Sequence, residues 1–237
     1  RYYDSVLGQG NAATAAGSSQ GGNWDYSKEV AYSFGHGLSY LPYEQKLQSV
    51  RVEDRVGGEV TAEVVITNNG DKAGKFLAQL YVQSPYTAYD KQNNVEKSAI
   101  QFLNSAKVEV PAGASRTVEI SIPTKYLASY DYTNAKTYIM DAGTYYFATG
   151  AGSHEALNNV LTAQGRTGDT AGSTAAVKTW IKSGTTDTTT YSVSDSGGEI
   201  SNVADNADLN YYLPGQVTYL SRKDWSGTYP VNYNEVN

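Results

Sequence analysis

The sequence "GEVTAEVVITNNGDKAGKFLAQLYVQSP", residues 58–85, contains two segments with the residue pattern of β-strands. Apolar side chains occupy every second position of each segment, which places them on one face of a strand. The turn-forming residues "NNGD" lie between the two segments. We therefore predict two strands with one buried face each, formed by Val60, Ala62, Val64 and Ile66 and by Phe76, Ala78, Leu80 and Val82.

Similar strand patterns continue toward the C-terminus. Residues 105–123, "SAKVEVPAGASRTVEISIP", predict a hairpin around the Pro-Ala-Gly turn, and residues 136–150 predict a second pair around Ala142-Gly143. Residues 176–183 and 188–194 are two further candidate strands. Short strands at regular spacing are typical of an antiparallel immunoglobulin-like sandwich, and the absence of cysteine favours a fibronectin type III-like variant. We predict an all-β fold with extended irregular flanks.

One short helix interrupts this pattern, at residues 152–165, "GSHEALNNVLTAQG". An apolar stripe at helical spacing is formed either by Ala156, Val160 and Ala163 or by Leu157 and Leu161, and Glu155 complements the positive N-terminus. We expect Ser153 to cap the helix and Gly165 to end it.

Composition excludes several classes of partner. The 237 residues carry a net charge of -6 without a block of Lys or Arg, so we expect no nucleic-acid binding. The chain has no apolar run of about 18 residues, so we expect no membrane partner. These features indicate a soluble protein and leave its localisation, cytoplasmic or secreted, unknown.

Motifs for cofactor or metal binding are incomplete. Gly8, Gly10 and Ala13 match a dinucleotide fingerprint, but the small polar residues that follow cannot sustain the required helix. His36 and His154 lack neighbouring ligands for zinc, and we interpret His36 as a hydrogen-bonded structural residue and His154 as solvated. We therefore expect no cofactor and no metal site.

The acidic C-terminal part of the chain invites two further hypotheses. Its carboxylates lack the spacing of a calcium loop, so we interpret the group Asp195, Glu199, Asp205 and Asp208 as solvated. Asp224 precedes Trp225, but no partner acid for glycoside hydrolysis is identifiable. A nucleophile elbow of the form G-x-S-x-G is also absent.

Several motifs together resemble the C-terminal part of glycoside hydrolase family 3. These are "AYSFGHGLSYLPYEQKLQSVRV" from residue 31, "NNGDKAGKFLAQLYVQSP" from 68, "EKSAIQF" from 96, "VEVPAGASRTVEISIP" from 108, "YLASYD" from 126 and "DAGTYYFATG" from 141. The opening "RYYDSVLGQGN" is similar to a stretch of the family's α/β sandwich domain, and the final residues are similar to the connector of members with permuted domain order.

The resemblance implies three parts. Residues 1–42 would be the C-terminal remnant of an α/β sandwich domain, residues 43–194 a fibronectin type III-like sandwich with the helix and appended strands, and residues 195–237 an extended connector toward a missing barrel domain. Ser33 replaces the family's usual proline, and "PAGAS" departs from its "P-G-x-S" pattern. The family's nucleophilic Asp and acid/base Glu lie in segments outside this chain, so no catalytic residue is expected here.

The resemblance therefore implies a noncatalytic structural section of a β-glucosidase-like enzyme that hydrolyses β-glucosides or related β-glycosides with retention. Its partners would be the other domains, or a second chain, of the same glycosidase, with the glycoside bound by the parent enzyme. The candidate interdomain contacts are aromatic and apolar: Phe34, Leu38, Tyr40 and Trp225. The alternative is a carbohydrate-binding or adhesive module, with Tyr86 and Tyr89 as possible sugar contacts.

Overall fold

Two antiparallel sheets pack face to face in the computed structural model, which describes residues 30–224 apart from Thr167, Asp169, Thr218 and Leu220. The first sheet has the order β1-β2-β5, with β1 at Tyr43–Val52, β2 at Glu59–Asn68 and β5 at Ser115–Pro123. The second has the order β4-β3-β8-β9, with β3 at Gly74–Gln83, β4 at Gln101–Val110, β8 at Gly143–Thr149 and β9 at Val177–Lys182. The predicted all-β sandwich is confirmed.

Smaller elements lie around the two sheets. A two-stranded ribbon consists of β6 (Ser129–Asp131) and β7 (Thr137–Ile139). Among residues 30–224 the α-helices are α1 (Ala88–Asn93), α2 (Ser153–Ala163) and α3 (Leu209–Tyr212), and 3₁₀ turns cover Thr124–Leu127, Thr174–Ala176, Asp205–Ala207 and Arg222–Asp224. No helix in the described part of the chain is long and apolar enough to cross a membrane.

The core lies between the sheets, where the alternating residues of β2 and β3 meet. All eight apolar positions predicted for these strands are buried: Val60, Ala62, Val64, Ile66, Phe76, Ala78, Leu80 and Val82. β2 pairs with β5 so that Val64 lies opposite Val118, and Ile120 and Ile122 of β5 complete the same face. Because each buried apolar side chain contributes about 1.5–3 kcal/mol, this face fixes the register of the first sheet.

The prediction of a hairpin around Pro111 is wrong, because the strands on either side of the turn, β4 and β5, belong to different sheets. β4 pairs with β3 and β5 pairs with β2, so the turn at residues 111–114 carries the chain across the sandwich. The buried amide of Asn68 holds this crossing, donating from Nδ2 to the carbonyl oxygens of Val110 at 3.0 Å and Lys72 at 2.8 Å. The Asn68 N–H donates to the Ala114 carbonyl at 2.9 Å.

Two other strand predictions are also corrected. The segment before Ala142 forms β7, which pairs with β6 and not with β8, because the chain turns inward at the buried Asp141. Residues 188–194 form turns instead of a strand. Asp187 accepts hydrogen bonds from the N–H groups of Thr189 and Thr190, both at 3.0 Å, and this arrangement bends the backbone.

The predicted helix is present as α2, although Ser153 does not cap it. The N-cap residue is Gly152, and Ser153 is the first helical residue. Gly165 ends the helix as predicted: its φ is +70°, its N–H donates to the Thr162 carbonyl, and the Arg166 N–H donates to the Leu161 carbonyl. The apolar side of α2 packs on the outer face of the second sheet, where Ala156 and Val160 meet Tyr81, Ala148 and Val177.

Candidate interdomain surface

The segment before β1 is fixed on the outer face of the second sheet by the amide of Gln79. Its Nε2 donates to the carbonyl oxygens of Gly35 at 2.9 Å and Ala151 at 3.3 Å. Its Oε1 accepts the hydroxyl hydrogen of Tyr81 at 2.6 Å. Burial raises the pKa of Tyr81 to about 12, so its hydroxyl remains a donor. One side-chain amide therefore connects the segment, the sheet and the loop that precedes α2.

Glycines permit this close approach. Gly35 has a φ of +78°, and a Cβ atom there would lie 2.5 Å from the Tyr81 hydroxyl oxygen and closer still to the Gln79 amide oxygen. Gly152 faces the same segment, and a Cβ atom on it would lie 3.2 Å from the Phe34 carbonyl oxygen. That carbonyl accepts the N–H of Ser153 at 2.8 Å. The segment thus caps α2 in place of the predicted Ser153 side chain.

Gly70 and Gly74, which flank the turn before β3, accommodate Leu41. A Cβ atom on Gly70 would lie 2.9 Å from Leu41 Cδ2, and one on Gly74 would lie 2.7 Å from Leu41 Cδ1. The half-buried Leu41 packs against the core at this end of the sandwich. The residues from Gly35 to Leu41 are therefore attached at both ends.

Three apolar side chains in this stretch and directly before it are largely exposed to solvent. Phe34 is 64% exposed, Leu38 93% and Tyr40 108%. Beside them lies a groove of about 390 Å³ whose lining includes Leu38, Tyr40, Tyr43 and Phe76. We call Phe34, Leu38 and Tyr40 the N-terminal surface. Trp225, the fourth candidate contact, lies outside the described residues.

Tyr86 and Tyr89, the possible sugar contacts, are both half-buried at the opposite end of β3. The Tyr89 hydroxyl donates to Asp131 Oδ2 at 2.7 Å and accepts from Asn134 Nδ2 at 2.9 Å. The guanidinium carbon of Arg222 lies 4.6 Å from the centroid of the Tyr86 ring. These contacts occupy the Tyr89 hydroxyl and cover part of the Tyr86 ring.

The two histidines have different surroundings. The His36 N–H donates to the Ser33 carbonyl at 3.1 Å, and its exposed ring lies 5.2 Å from the ring of Tyr32. The expected hydrogen bond of His36 is thus a backbone one. His154 is half-buried instead of solvated, and its Nε2 lies 3.2 Å from Asn158 Nδ2.

The acidic residues of the C-terminal part have separate contacts. Asp195 pairs with Lys125 at 2.6 Å, and Asp208 caps α3 by accepting the N–H of Asn210 at 2.8 Å. Asp205 accepts a hydrogen bond from Asn202. Within the described ranges, no group of three or more His, Asp and Glu side chains is arranged to hold a metal ion. The three residues of the dinucleotide-like motif, Gly8, Gly10 and Ala13, lie outside those ranges.

One close pair of carboxylates is buried. Asp90 and Asp141 both contact the ammonium of Lys97, and all three side chains are at most 5% exposed. Thr186 Oγ1 also donates to Asp141 Oδ1 at 2.8 Å. Burial raises the pKa of Asp90 above its ordinary value despite the neighbouring Lys97 charge. The cluster ties α1, the β7–β8 connection and the segment before β4 together beneath the surface, out of reach of a substrate.

Sequence patterns did not reveal Gln79 and Tyr81 as the anchors of this surface. Polar residues between the apolar positions of β3 are typical of a solvent-facing side, yet Gln79, Tyr81 and Gln83 are buried. The available signal was the tyrosine and two amides on one strand face, a set able to hydrogen-bond a covering segment.

Comparison with known proteins identifies a fibronectin type III-like domain in the middle of the chain. The family of fibronectin type III-like domains matches residues 77–153. A probable β-glucosidase I of Aspergillus clavatus is 33% identical over 129 residues, which are 51% of this chain and 14% of that protein. A β-glucosidase of Ruminococcus albus is 31% identical over 126 residues, covering 52% of this chain and 12% of that protein. The chain thus matches only about one seventh of the length of these relatives.

A solved structure shares the fold. The crystal structure of the β-glucosidase of Kluyveromyces marxianus in complex with glucose aligns with 67% of this chain and 16% of its own length, with a TM-score of 0.50 and 22% identity. At this identity the likeness concerns the fold alone. The matched region of the sequence and the observed topology agree on a fibronectin type III-like sandwich.

Proposed function

We propose, from the premise that the chain carries a fibronectin type III-like domain of the kind found in glycoside hydrolase family 3 β-glucosidases, that it is a noncatalytic section which supports catalytic domains. In this proposal residues 1–42 end an α/β domain, residues 43–194 form the sandwich, and residues 195–237 lead toward a barrel. The parent enzyme hydrolyses β-glucosides or related β-glycosides with retention, by means of two carboxyl groups about 5–5.5 Å apart.

The N-terminal surface is the observation that carries the proposal. A side chain as exposed as Leu38 or Tyr40 gains nothing from its position in this chain, yet the backbone around it is held by Gln79 and Leu41. Ordered apolar patches on a protein surface mark contact sites. Burying a side chain such as Phe34 or Leu38 against another domain stabilises the pair by about 1.5–3 kcal/mol per residue. The rigid anchor lowers the entropy lost on docking.

The buried carboxylates support the noncatalytic part of the proposal. A retaining glycosidase needs two carboxyl groups that face the glycosidic bond. Asp90 and Asp141 are a close pair, but Lys97 lies between them and neither carboxylate reaches solvent. The small share of each relative that the chain covers, 14% and 12%, leaves room for catalytic domains elsewhere in the parent protein.

An assay of the 237-residue chain with an aryl β-glucoside tests the noncatalytic role. We expect no turnover above the rate of the buffer alone. Turnover that persists after a second, independent purification would contradict the proposal. Asp90→Asn removes one carboxylate of the buried pair Asp90 and Asp141. If the chain shows any turnover, this variant tests whether that pair is its source, and we expect its hydrolysis rate to equal that of the buffer as well.

A substitution on the N-terminal surface tests the supporting role. In the chain alone, Leu38→Asp leaves the free energy of unfolding within about 0.5 kcal/mol, because the side chain is 93% exposed. In the longer parent protein, the same change lowers stability by about 2 kcal/mol or more, since a charge then enters an apolar contact. Urea unfolding of both proteins provides the measurement, and the chain alone is the matched control. An equal, small effect in both proteins would refute docking at this surface.

A further inference from the structure

A second concave site lies at the other end of the sandwich. It has a volume of about 480 Å³ and is bordered by the β1–β2 turn at Val56 and Gly57, whereas the N-terminal surface lies beside the first residues of β1. The ten residues of β1 separate the two sites by about 30 Å at the rise of a β-strand. The volume lies within the range of about 300–1,000 Å³ that small-ligand pockets occupy.

Three tyrosines from different segments line this site, which we call the tyrosine pocket: Tyr126, Tyr138 and Tyr191. Tyr126 is 54% exposed and Tyr138 42% exposed, so parts of both rings face solvent. Among the described residues, neither of these two hydroxyls has a hydrogen-bond partner, and both remain available to a ligand. Tyr191 is buried, and its hydroxyl donates to Asp54 Oδ1 at 3.1 Å.

Hydrogen bonds fix the framework of the pocket. Gln101 Nε2 donates to the Tyr126 carbonyl at 3.1 Å, which attaches the 3₁₀ turn after β5 to the start of β4. The Tyr138 ring packs edge-on against Tyr130 across the β6–β7 ribbon, with ring centroids 5.3 Å apart. The two exposed rings therefore rest on attached backbone, which lowers the entropy lost on binding. Lys125 Nζ lies 5.8 Å from the centroid of the Tyr126 ring, so a ligand that stacks on Tyr126 also meets Lys125.

The charged side chains in the pocket neutralise one another. Lys125 Nζ lies 2.6 Å from Asp195 Oδ2, and both residues line the pocket. The remaining polar lining consists of uncharged groups, from Gln101, Thr190 and Ser194. Such a site offers no excess charge to a phosphate, a carboxylate or an ammonium group, so it favours a neutral ligand.

We propose that the tyrosine pocket binds a neutral sugar, as one or two pyranose rings of an oligosaccharide. A pyranose presents an apolar C–H face that packs on an aromatic ring, and hydroxyl groups around its edge that exchange hydrogen bonds. Tyr126 and Tyr138 supply both functions, because each has an apolar ring and a polar hydroxyl. This binding role is separate from the supporting role of the N-terminal surface, and it lies at a different place from Tyr86 and Tyr89.

Amide chemical shifts of the ¹⁵N-labelled 237-residue chain, recorded during titration with cellobiose and with maltose, test the proposal. We expect saturable shifts at Gly57, Lys125 and Ser194 with at least one of the two disaccharides, and a Kd of about 1 mM for this shallow site. Tyr138→Ala is expected to weaken binding about tenfold, which corresponds to about 1.4 kcal/mol, because it removes one of the two exposed rings. Tyr126→Ala provides a second variant on a different element, should the first disturb the β6–β7 ribbon.

The matched control is Tyr32→Ala, which removes a tyrosine that is 77% exposed at the opposite end of the sandwich. It should leave the Kd unchanged. The proposal is overturned if neither disaccharide gives saturable shifts, or if phenol shifts the same amides while both disaccharides do not. Equal affinity in wild type and in both pocket variants would overturn it as well. None of these results bears on docking at the N-terminal surface, so the two proposals fail or stand separately.

Discussion

At the scale of the single residue, Gly35 determines whether the N-terminal segment can lie on the sheet. A left-handed backbone costs a non-glycine residue about 1–2 kcal/mol, and at Gly35 a Cβ atom would also overlap the Gln79 and Tyr81 side chains. We predict that Gly35→Ala detaches the segment at a cost of about 2 kcal/mol. The Ser153 N–H, which donates to the Phe34 carbonyl, should then exchange with solvent about thirtyfold faster.

Substitutions at two other glycines distinguish the cost of a left-handed backbone from the steric overlap of the Cβ atom. Gly113 has a φ of +66° with nothing near its Cβ position, and Gly37 has open space and no positive φ. Gly113→Ala should lower stability by about 1 kcal/mol without changing Ser153 exchange, and Gly37→Ala should change neither quantity. Hydrogen exchange read by NMR and urea unfolding measure both. If Gly35→Ala exchanged like Gly37→Ala, the close packing of the segment would be refuted.

A second prediction at this scale concerns pH and the carboxylate of Asp131. Burial acts to raise the pKa of Asp131, but the N–H groups of Asn134, Ala135 and Thr133 donate to it at 2.9–3.0 Å and lower the pKa overall. A lowered pKa in the folded state contributes stability that is present above the unfolded pKa of about 3.9 and is lost as pH falls through the folded value.

Asp131→Asn should therefore lower the free energy of unfolding by about 2 kcal/mol at pH 7, because the N–H groups lose a charged acceptor. The difference between wild type and variant should shrink below about pH 4. Urea unfolding at a series of pH values measures it. Asp71→Asn, in the exposed turn before β3, is the control and should give a small difference at every pH. A difference that does not change with pH would show that the charge of Asp131 is not responsible.

At the scale of the element, α2 gives the second sheet a covered outer face. Val160 is fully buried against that face, so Val160→Ala removes two methyl groups and leaves a gap. We predict a loss of about 2 kcal/mol in the free energy of unfolding. Val203→Ala, the same change at a residue 93% exposed, should stay within about 0.5 kcal/mol. Comparable losses in the two variants would refute packing of α2 on the sheet.

The strands were more predictable than their pairing. The buried face of β2 follows from local alternation, so Val60 to Ile66 were identified correctly. A turn sequence such as Pro-Ala-Gly marks a reversal but carries no information on which sheet receives the next strand, and the prediction failed there. The helix α1 was missed although Thr87 and Asp90 form a capping box, a signal that was present in the sequence.

The sites depend on contacts that no local pattern contains. The residues of the N-terminal surface were predicted as aromatic and apolar contacts from the motif that begins at residue 31, but their anchor, Gln79, lies 44 positions from Gly35. The tyrosine pocket combines the turn at Val56 with residues as distant as Ile200. Such sets are brought together by the topology of the sandwich, which the sequence pattern specified only as a class of fold.

At the scale of the whole molecule, the last described part of the proposed connector, residues 221–223, contacts the sandwich beside α1. Ser221 Oγ donates to Glu96 Oε1 at 2.5 Å, and the Arg222 N–H donates to Glu96 Oε2 at 3.0 Å. The Arg222 guanidinium covers Tyr86, and Lys223 Nζ donates to Asn94. Arg222 is only 6% exposed, so a protease must first detach the connector before it reaches this residue.

This geometry predicts the effect of Glu96→Ala on trypsin cleavage. Removing the carboxylate deletes two hydrogen bonds to the connector, each to a charged acceptor. A loss of about 1.4 kcal/mol would raise the population of the detached connector, and hence the cleavage rate after Arg222 and Lys223, about tenfold. Glu59→Ala, at an exposed position at the start of β2, should leave that rate unchanged. Mass spectrometry of timed digests identifies the cleavage site. Unchanged cleavage in Glu96→Ala would mean that contacts other than Glu96 hold the connector, whereas cleavage that spreads into the sandwich would mean that Glu96 stabilises the whole domain.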